Sequence, residues 1–264
     1  TPLSIKCAFS GKEYYKLKNT TYAVNEDNFL VLNEGTEYAS YILSESITES
    51  FTLNFTQSNL RLLAAAEKNT DQFLLDDPFL LKDGNTGFIQ KLYTYSFEMM
   101  MYMVKILELS GEKQPDNFAI QESLYNILVE IFRLNFISGK ESENINARKK
   151  VTREELYKRL SIVKDYIRSC YHEDITLHDL ALTCYLNPCY LLREFKNLYR
   201  VTPHQYLTDI RLQEAEKMIV QTQKPISEIT REIGFQDPAS FSKLFKKKFN
   251  KAPAAYRKFG EFFS

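Results

Sequence analysis

Lysines and aromatic residues alternate at helical spacing near the end of the chain, in the stretch IGFQDPASFSKLFKKKF at 233–249. Its apolar residues recur at i, i+3, i+4 and i+8 and predict one buried stripe of an amphipathic helix. The other side of that helix holds Lys243, Lys246 and Lys247. Such lysines can bind phosphate groups, but most charged faces of this kind are only solvated, and this stretch alone does not decide between the two.

The charges of the chain are unevenly distributed, although 34 basic and 34 acidic side chains give a net charge of zero. Residues 155–264 hold 18 basic and 13 acidic side chains, whereas the residues before them hold 16 and 21. The second half of the chain is therefore suited to a polyanionic partner.

Side chains that support catalysis or metal binding do not cluster in the sequence. All three histidines, His172, His178 and His204, lie in the second half, far from the strand-rich first half where a metal-dependent β-barrel enzyme would need them. The four cysteines form no CxxC pair, which favours reduced thiols in a cytosolic protein. Because no apolar stretch of about 18 residues exists either, we expect a cytoplasmic non-enzyme with no cofactor, no metal and no membrane partner.

The first part of the chain has the pattern of short strands. Residues 13–56 contain the runs TTYAV, NFLVL, YASYIL and FTLNF, separated by turn residues, which predict a small antiparallel barrel or sandwich. Tyrosines, including Tyr15, are frequent in this segment and could line a pocket for an effector. The candidate pocket residues are Tyr14, Tyr22, Tyr38 and Tyr41. The competing interpretation is that these rings only fill the core.

The period of the apolar residues changes at about residue 87. Two segments, FIQKLYTYSFEMMMYMVKILEL and FAIQESLYNILVEIFRLNFI, have apolar residues at helical spacing and predict two long helices. Their apolar surface exceeds what a lone pair can bury, so it packs on the strands or on a second copy of the chain. The second of these two alternatives would be a homodimer formed through residues 87–138. The polar stretch SGKESENINARKK at 138–150 predicts a linker.

An internal repeat occupies the last hundred residues, with an offset of 49 to 50 positions. Leu191 and Phe195 in the first copy correspond to Phe241 and Phe245 in the second. Each copy has a short apolar helix, a turn, and a second helix that begins with a capping residue and a proline, Asn187–Pro188 and Asp237–Pro238. This order predicts two helix-turn-helix units. Residues 204–222 read as one helix that joins them.

The segment from about 160 to 259 resembles the DNA-binding domain of AraC/XylS-type bacterial transcription regulators. The second unit, ISEITREIGFQDPASFSKLFKKKFNKAPAAYRK, follows the family pattern nearly throughout. Tyr185, Arg200 and Asn250 stand where the family usually has glycine. If those positions need a positive φ, Tyr or Arg costs about 1 kcal/mol, and the first turn is expected to be wider than usual.

The resemblance implies an α+β fold: a cupin-like effector-sensing β-barrel at 1–84, a dimerising helical pair at 85–140, a linker at 141–154, and an all-α double helix-turn-helix domain at 155–264. It implies a transcription regulator that binds double-stranded DNA, with each chain reading two successive major grooves. A small-molecule effector and RNA polymerase are further implied partners. The base-reading positions are Cys189, Leu192, Arg193, Pro238, Ala239, Ser242 and Lys243. The phosphate-binding positions are Lys196, His204, Gln205, Lys246, Lys247 and Lys248.

Several alternatives stay open at this point. Arg193 can bind guanine with two hydrogen bonds, but it can equally form a structural salt bridge with Glu194. The chain could be an enzyme or a damage-response protein that uses its C-terminal domain only for DNA targeting. It could also be an interaction protein whose basic helix binds a membrane or a partner helix.

Overall fold

The computed structural model describes residues 2–17, 20–43, 47–56, 87–111, 114 and 116–260, with side chains as far as residue 257. The chain divides into two compact units, Thr1–Lys158 and Arg159–Ser264. The end of the predicted first domain, residues 57–84, lies outside the described residues.

Seven strands form two antiparallel sheets in the described part of the first unit. The larger sheet has the strand order β6-β1-β4-β7, and the smaller has the order β3-β2-β5. The strands are β1 (Leu3–Ser10), β2 (Glu13–Leu17), β3 (Thr20–Val24), β4 (Asn28–Leu32), β5 (Ala39–Tyr41), β6 (Glu49–Phe55) and β7 (Leu92–Thr94). The sequence predicted strands only from residue 13 onwards and therefore missed β1, the central partner of both β4 and β6.

The larger sheet is a middle layer, because both of its faces are buried. One face packs against the smaller sheet through a cluster that includes Ala8, Tyr15 and Leu30. The other face packs against two helices, with Ile5, Phe29 and Met103 among its members. All five residues of β4 are buried, as expected for a strand covered on both sides.

A closed cupin-like barrel is not confirmed. Among the described strands, no ladder of hydrogen bonds joins one sheet to the other, and the sheets instead pack face to face. Of the two architectures that the strand pattern allowed, the described residues form the sandwich. The physical reason is that the larger sheet ends at β6 and β7 and the smaller at β3 and β5, and none of these edge strands pairs with an edge of the other sheet within the described residues.

Two helices follow the strands, α1 (Phe97–Ser110) and α2 (Asn117–Glu143). Ser96 and Asp116 cap their first turns by accepting hydrogen bonds from backbone N–H groups. The next helix, α3, spans Lys150–Cys170. Within the predicted linker at 141–154, only residues 144–149 lie between helices, and the predicted domain limits stay predictions.

The described part of the second unit is helical throughout. After α3 it contains α4 (Leu177–Cys184), α5 (Pro188–Tyr199), α6 (Pro203–Gln221), α7 (Ile226–Glu232), α8 (Pro238–Phe249) and α9 (Pro253–Gly260). The pairs α4–α5 and α7–α8 are the two predicted helix-turn-helix units, joined by the 19-residue α6. This part of the prediction is confirmed.

The turns of the two units have the same backbone conformation. Tyr185 has φ 53° and Gly234 has φ 82°, and they occupy matching slots of the repeat. Leu186 N–H donates to Ala181 O at 3.0 Å, as Phe235 N–H donates to Thr230 O at 3.0 Å. The expectation of a wider first turn is therefore wrong, because Tyr185 adopts the left-handed conformation instead of opening the turn.

The residues that follow α5 and α8 also match in backbone conformation. Arg200 has φ 64° and Asn250 has φ 60°, so all three residues that replace a family glycine adopt a positive φ. A positive φ strains a residue that has a Cβ but not glycine. The conformational cost is about 1 kcal/mol each for Tyr185 and Arg200.

Substitutions at these turns should change stability in opposite directions. Arg200→Gly should raise the free energy of unfolding by about 1 kcal/mol, because glycine relieves the strained φ. Gly234→Ala should lower it by more than about 1 kcal/mol, since the new Cβ would lie 2.7 Å from His172 O at a positive φ. Urea unfolding of the full chain measures both; equal midpoints for Gly234→Ala and the parent would contradict this account.

Candidate nucleic-acid interface

The first helix-turn-helix unit holds α5 by an N-cap and a buried stripe. Asn187 Oδ1 accepts a hydrogen bond from Cys189 N–H at 2.9 Å, and Pro188 occupies the first helical position. Leu191 and Phe195 have no exposed surface. Because these two residues fix one side of α5 in the core, the other side is solvent-exposed, with Cys189, Leu192, Arg193 and Lys196 on it.

The second helix-turn-helix unit holds α8 in the same way, by an N-cap and a buried stripe. Asp237 accepts hydrogen bonds from Ala239 N–H at 3.1 Å and from Ser240 N–H at 2.9 Å. Hydrogen bonds from Ser240 and Ala239 lower the pKa of the Asp237 carboxyl, so the cap is held in its charged form. Phe241 and Phe245 are fully buried. The outward face holds Pro238, Ala239, Lys243, Lys246 and Lys247, all exposed, and Ser242, which is half-buried.

Arg193 forms the salt bridge that was the competing interpretation of its role. Its Nε donates to Glu194 Oε1 at 2.7 Å, and its guanidinium carbon lies 5.0 Å from the centre of the Tyr190 ring. The Arg193 side chain nevertheless stays 64% exposed. Neither Nη nitrogen has a hydrogen-bond acceptor among the described residues. The salt bridge therefore orients the guanidinium and leaves its Nη edge available.

The predicted phosphate-binding residues are of two kinds in the structure. Lys196, Lys246 and Lys247 are exposed. Lys248 instead donates to the Asp209 side chain and, at 3.2 Å, to Asp209 O, which ties α8 to α6. The spacing of KKK does not distinguish Lys248 from its neighbours, because the partner residue lies 39 positions away.

His204 and Gln205 lie in the exposed first turn of α6. Gln205 also takes part in a capping box: its Oε1 accepts from Thr202 N–H at 2.9 Å, and Thr202 Oγ1 accepts from Gln205 N–H at 3.2 Å. This box fixes the start of the connecting helix.

Helix α6 has buried apolar residues from its start to its end. Leu207 is buried near its start, and Leu212, Ala215 and Ile219 belong to the core of the second helix-turn-helix unit. Arg211, which no sequence pattern singles out, donates from Nε to Tyr171 O and from Nη2 to Glu173 O, both at 2.7 Å. These bonds to backbone carbonyls attach α6 to the segment after α3, and burial lowers the pKa of the Arg211 guanidinium.

The candidate effector tyrosines do not share one surface. Tyr14 and Tyr41 are a register pair of β2 and β5 with stacked rings 5.3 Å apart, and Tyr41 is exposed. Tyr22 pairs in register with Tyr15, the next residue along β2, so its side chain is on the opposite face of the sheet. Tyr22 is buried and Tyr38 packs against the same inner cluster. The four residues therefore divide between the two faces of the smaller sheet.

Among the described residues, no helix is sufficiently long and apolar to cross a membrane. Nor do the described His, Cys, Asp and Glu side chains form a group of three or more that could hold a metal ion.

Comparison with known proteins identifies the helical repeat. Residues 180–258 match the family model described as a helix-turn-helix domain. The lactose operon transcription activator of Staphylococcus xylosus is 36% identical over 93 residues, which cover 35% of this chain and 33% of that protein. The uncharacterized HTH-type transcriptional regulator YisR of Bacillus subtilis is 24% identical over 265 aligned positions, covering 94% of this chain and 83% of that protein.

A third relative has a dual description. The bifunctional transcriptional activator/DNA repair enzyme AdaA of Bacillus subtilis is 33% identical over 98 residues, covering 37% of this chain and 46% of that protein. The alignments thus span less than half of two of these three relatives. The predicted resemblance is confirmed by these matches: residues 180–258 form a helix-turn-helix domain, and the relatives to which this chain is similar are described as transcription regulators.

Proposed function

We propose that this chain is a sequence-specific transcription regulator and that each chain reads two successive major grooves of double-stranded DNA. The observation that carries the proposal is the duplicated unit. In both copies the second helix begins with a capping side chain and a proline, has a corresponding buried stripe and follows a turn with a positive φ, and one helix joins the copies. A single DNA-binding helix would need no such duplication.

The length of α6 supports reading of two grooves. Its 19 residues span about 28 Å at 1.5 Å per residue. Major grooves recur every ~34 Å along one side of B-DNA, and the radii of the flanking helices add to the length of α6. The two exposed helix faces therefore suit neighbouring grooves.

The exposed N-terminal turns of α5 and α8 are the proposed reading surfaces. Arg193 and Lys243 can donate to guanine O6 and N7, and Arg193 is the more selective of the two because its donors are fixed in a plane. Cys189, Leu192, Pro238, Ala239 and Ser242 are small or apolar. We propose that they contact thymine methyl groups or fit the groove, so that part of the specificity comes from DNA shape.

Loss of Arg193 should weaken specific binding selectively. Arg193→Ala should reduce affinity for a site selected from a random DNA library by about 1 to 3 kcal/mol and leave binding to unrelated DNA nearly unchanged. Lys247→Ala should weaken binding to both DNAs equally, because a phosphate contact does not depend on sequence. Gel-shift titration of the full chain measures both.

A control separates the two roles of Arg193. Glu194→Gln removes the carboxylate that pairs with Arg193 but keeps the guanidinium. If Arg193 acts only in that salt bridge, the Glu194→Gln and Arg193→Ala variants should lose specific affinity alike. Unchanged binding of Arg193→Ala to the selected site would remove Arg193 from the reading surface.

Binding should also depend steeply on salt. Each phosphate neutralised by a lysine or arginine releases counterions, so the logarithm of the affinity falls linearly with the logarithm of salt concentration, by about 0.9 per contact. Lys246→Ala should remove one phosphate contact and so reduce the magnitude of this slope by about 0.9. Fluorescence anisotropy between 50 and 200 mM salt (about a fourfold range) measures it. A flat dependence would favour the interpretation in which the basic helix binds a protein partner.

The dimer predicted through residues 87–138 is part of the proposal. One side of α1 is buried in the core through Met99, Met103 and Ile106. The opposite side also has apolar residues. Its exposed residues include Phe97 at 74%, Met101 at 56% and Val104 at 42%. On α2, Phe118 is 78% exposed. Large apolar side chains that cluster on an exposed face are normally covered by a partner, so we propose that a second copy covers this face.

A charge on this face should break the dimer. Met101→Lys should shift the sedimentation coefficient of the full chain from that of a dimer to that of a monomer, because the lysine would be desolvated without a partner. Lys16→Glu, an exposed position on β2, is the control and should leave the dimer intact. A monomeric parent chain, or an unaffected Met101→Lys dimer, would contradict the proposal.

The remaining parts of the proposal concern regulation. A small-molecule effector in the first unit would favour one of two DNA-binding states through its different affinity for them. RNA polymerase is the partner that transcription activation would require. We expect the chain to act in the cytoplasm.

A second candidate function has one observation in its favour. AdaA is described as both an activator and a DNA repair enzyme. In this alternative, the chain is an enzyme or damage-response protein that its C-terminal domain brings to DNA. Incubation of the full chain with alkylated duplex DNA tests it: transfer or removal of the alkyl group would favour the alternative, whereas intact lesions would favour the non-enzymatic regulator.

A further inference from the structure

A lysine is buried inside the sandwich of the first unit. Lys6 lies on β1 and is 5% exposed. Its Nζ donates to the Tyr38 hydroxyl at 2.8 Å and to Thr52 Oγ1 at 3.3 Å. The ammonium also lies 4.7 Å from the centre of the Tyr38 ring and 5.9 Å from that of Tyr15. All of these partners are uncharged.

The charge of Lys6 is therefore uncompensated within the described part of the chain, where no carboxylate lies within ion-pair distance of it. Glu13 is close to this cluster, but its carboxylate accepts a hydrogen bond from the Tyr15 hydroxyl. Buried charges in proteins are normally paired, because an ammonium without a counter-charge is costly to desolvate. Hydroxyls and aromatic rings reduce this cost but do not neutralise the charge.

A second buried polar group lies beside Lys6. Ser4 is two residues earlier on β1, so its side chain is on the same face of the sheet. Ala8, two residues later on that face, belongs to the cluster between the two sheets. Ser4 is 1% exposed, and its Oγ has no hydrogen-bond partner among the described residues. Unsatisfied buried hydroxyls are uncommon, and the Ser4 hydroxyl is therefore available to a ligand.

The neighbouring strand connects these groups to solvent. On β6, Thr52 is directly opposite Lys6 and Asn54 is directly opposite Ser4. Side chains opposite one another in an antiparallel pair lie on the same face, so all four form one polar patch. Thr52 and Asn54 are exposed. A ligand could therefore reach the donors of β1 across the edge strand β6.

We propose that this patch is the site for an oxyanion of a small-molecule effector, with Lys6 supplying the positive charge and Ser4, Thr52, Asn54 and Tyr38 supplying hydrogen bonds. The inference rests on the effector control in the proposed function and adds the chemical class of the ligand. An organic carboxylate and a phosphate group share the chemistry that this patch recognises. The adjoining rings of Tyr15 and Tyr38 favour an organic body beside the charge.

Thermal unfolding of the full chain tests the proposal with two anionic probes. One arm compares phenylacetate with phenylacetamide, which has a similar shape and no charge. The other compares inorganic phosphate with chloride at equal ionic strength. A ligand that binds only the folded state raises the unfolding midpoint, and we expect a rise of about 2 °C or more at saturation from at least one anion, with none from phenylacetamide. The arm that responds identifies the anion class.

Variants assign the effect to the patch. Lys6→Met should abolish the rise, and it should fold because an apolar side chain of similar size replaces a buried charge. Lys16→Met, on the exposed side of β2, should keep the rise. Ser4→Ala should reduce the rise without lowering the midpoint of the free protein, since it removes a hydroxyl that has no partner. If neither anion raises the midpoint, or if the rise persists in Lys6→Met, the proposal is wrong.

The test is independent of DNA binding. Anion binding in a chain that fails to bind DNA would support this site and contradict the regulator. DNA binding without a Lys6-dependent rise would support the regulator and contradict this site.

Discussion

Burial of one side of a short helix is the interaction on which the DNA-binding part of this chain depends. Leu191 and Phe195 in α5, and Phe241 and Phe245 in α8, have no exposed surface. Their packing fixes the rotation of each helix about its axis. The face turned to solvent is then determined, and with it the residues that can approach DNA. The caps at Asn187 and Asp237 determine where each of these faces begins.

The turns and the connecting helix α6 determine how the two DNA-binding helices are placed. Tyr185 and Gly234 adopt left-handed backbone in matching slots, although only one of them is glycine. The hydrogen bonds around the two turns are the same, so tertiary packing outweighs a conformational cost of about 1 kcal/mol at Tyr185. Arg211 and the pair formed by Lys248 and Asp209 then attach α6 to its neighbours. The stiffness of this connection matters because groove spacing is fixed.

The helical repeat could be predicted from the sequence because its signals are local: apolar spacing, caps and turn residues lie within a few positions of one another. The architecture of the first unit could not. Strand β1 alternates apolar residues with Ser4 and Lys6, which are buried polar groups, so its pattern resembles a half-exposed strand. Whether strands close into a barrel depends on contacts distant in sequence. The same limit applies to Lys248, whose partner is 39 residues away, and to the tyrosines that the register of β2 divides between two faces.

Hydroxyl-radical footprinting of the full chain on a duplex with one selected half-site is the most direct test of the central claim that one chain contacts two successive grooves. The account predicts two protected patches on the same side of the duplex, with centres about 10 to 10.5 base pairs apart. Substitution of Lys246 and Lys247 by alanine should weaken only one of them. A single protected patch, or two patches on opposite sides of the duplex, would contradict the account.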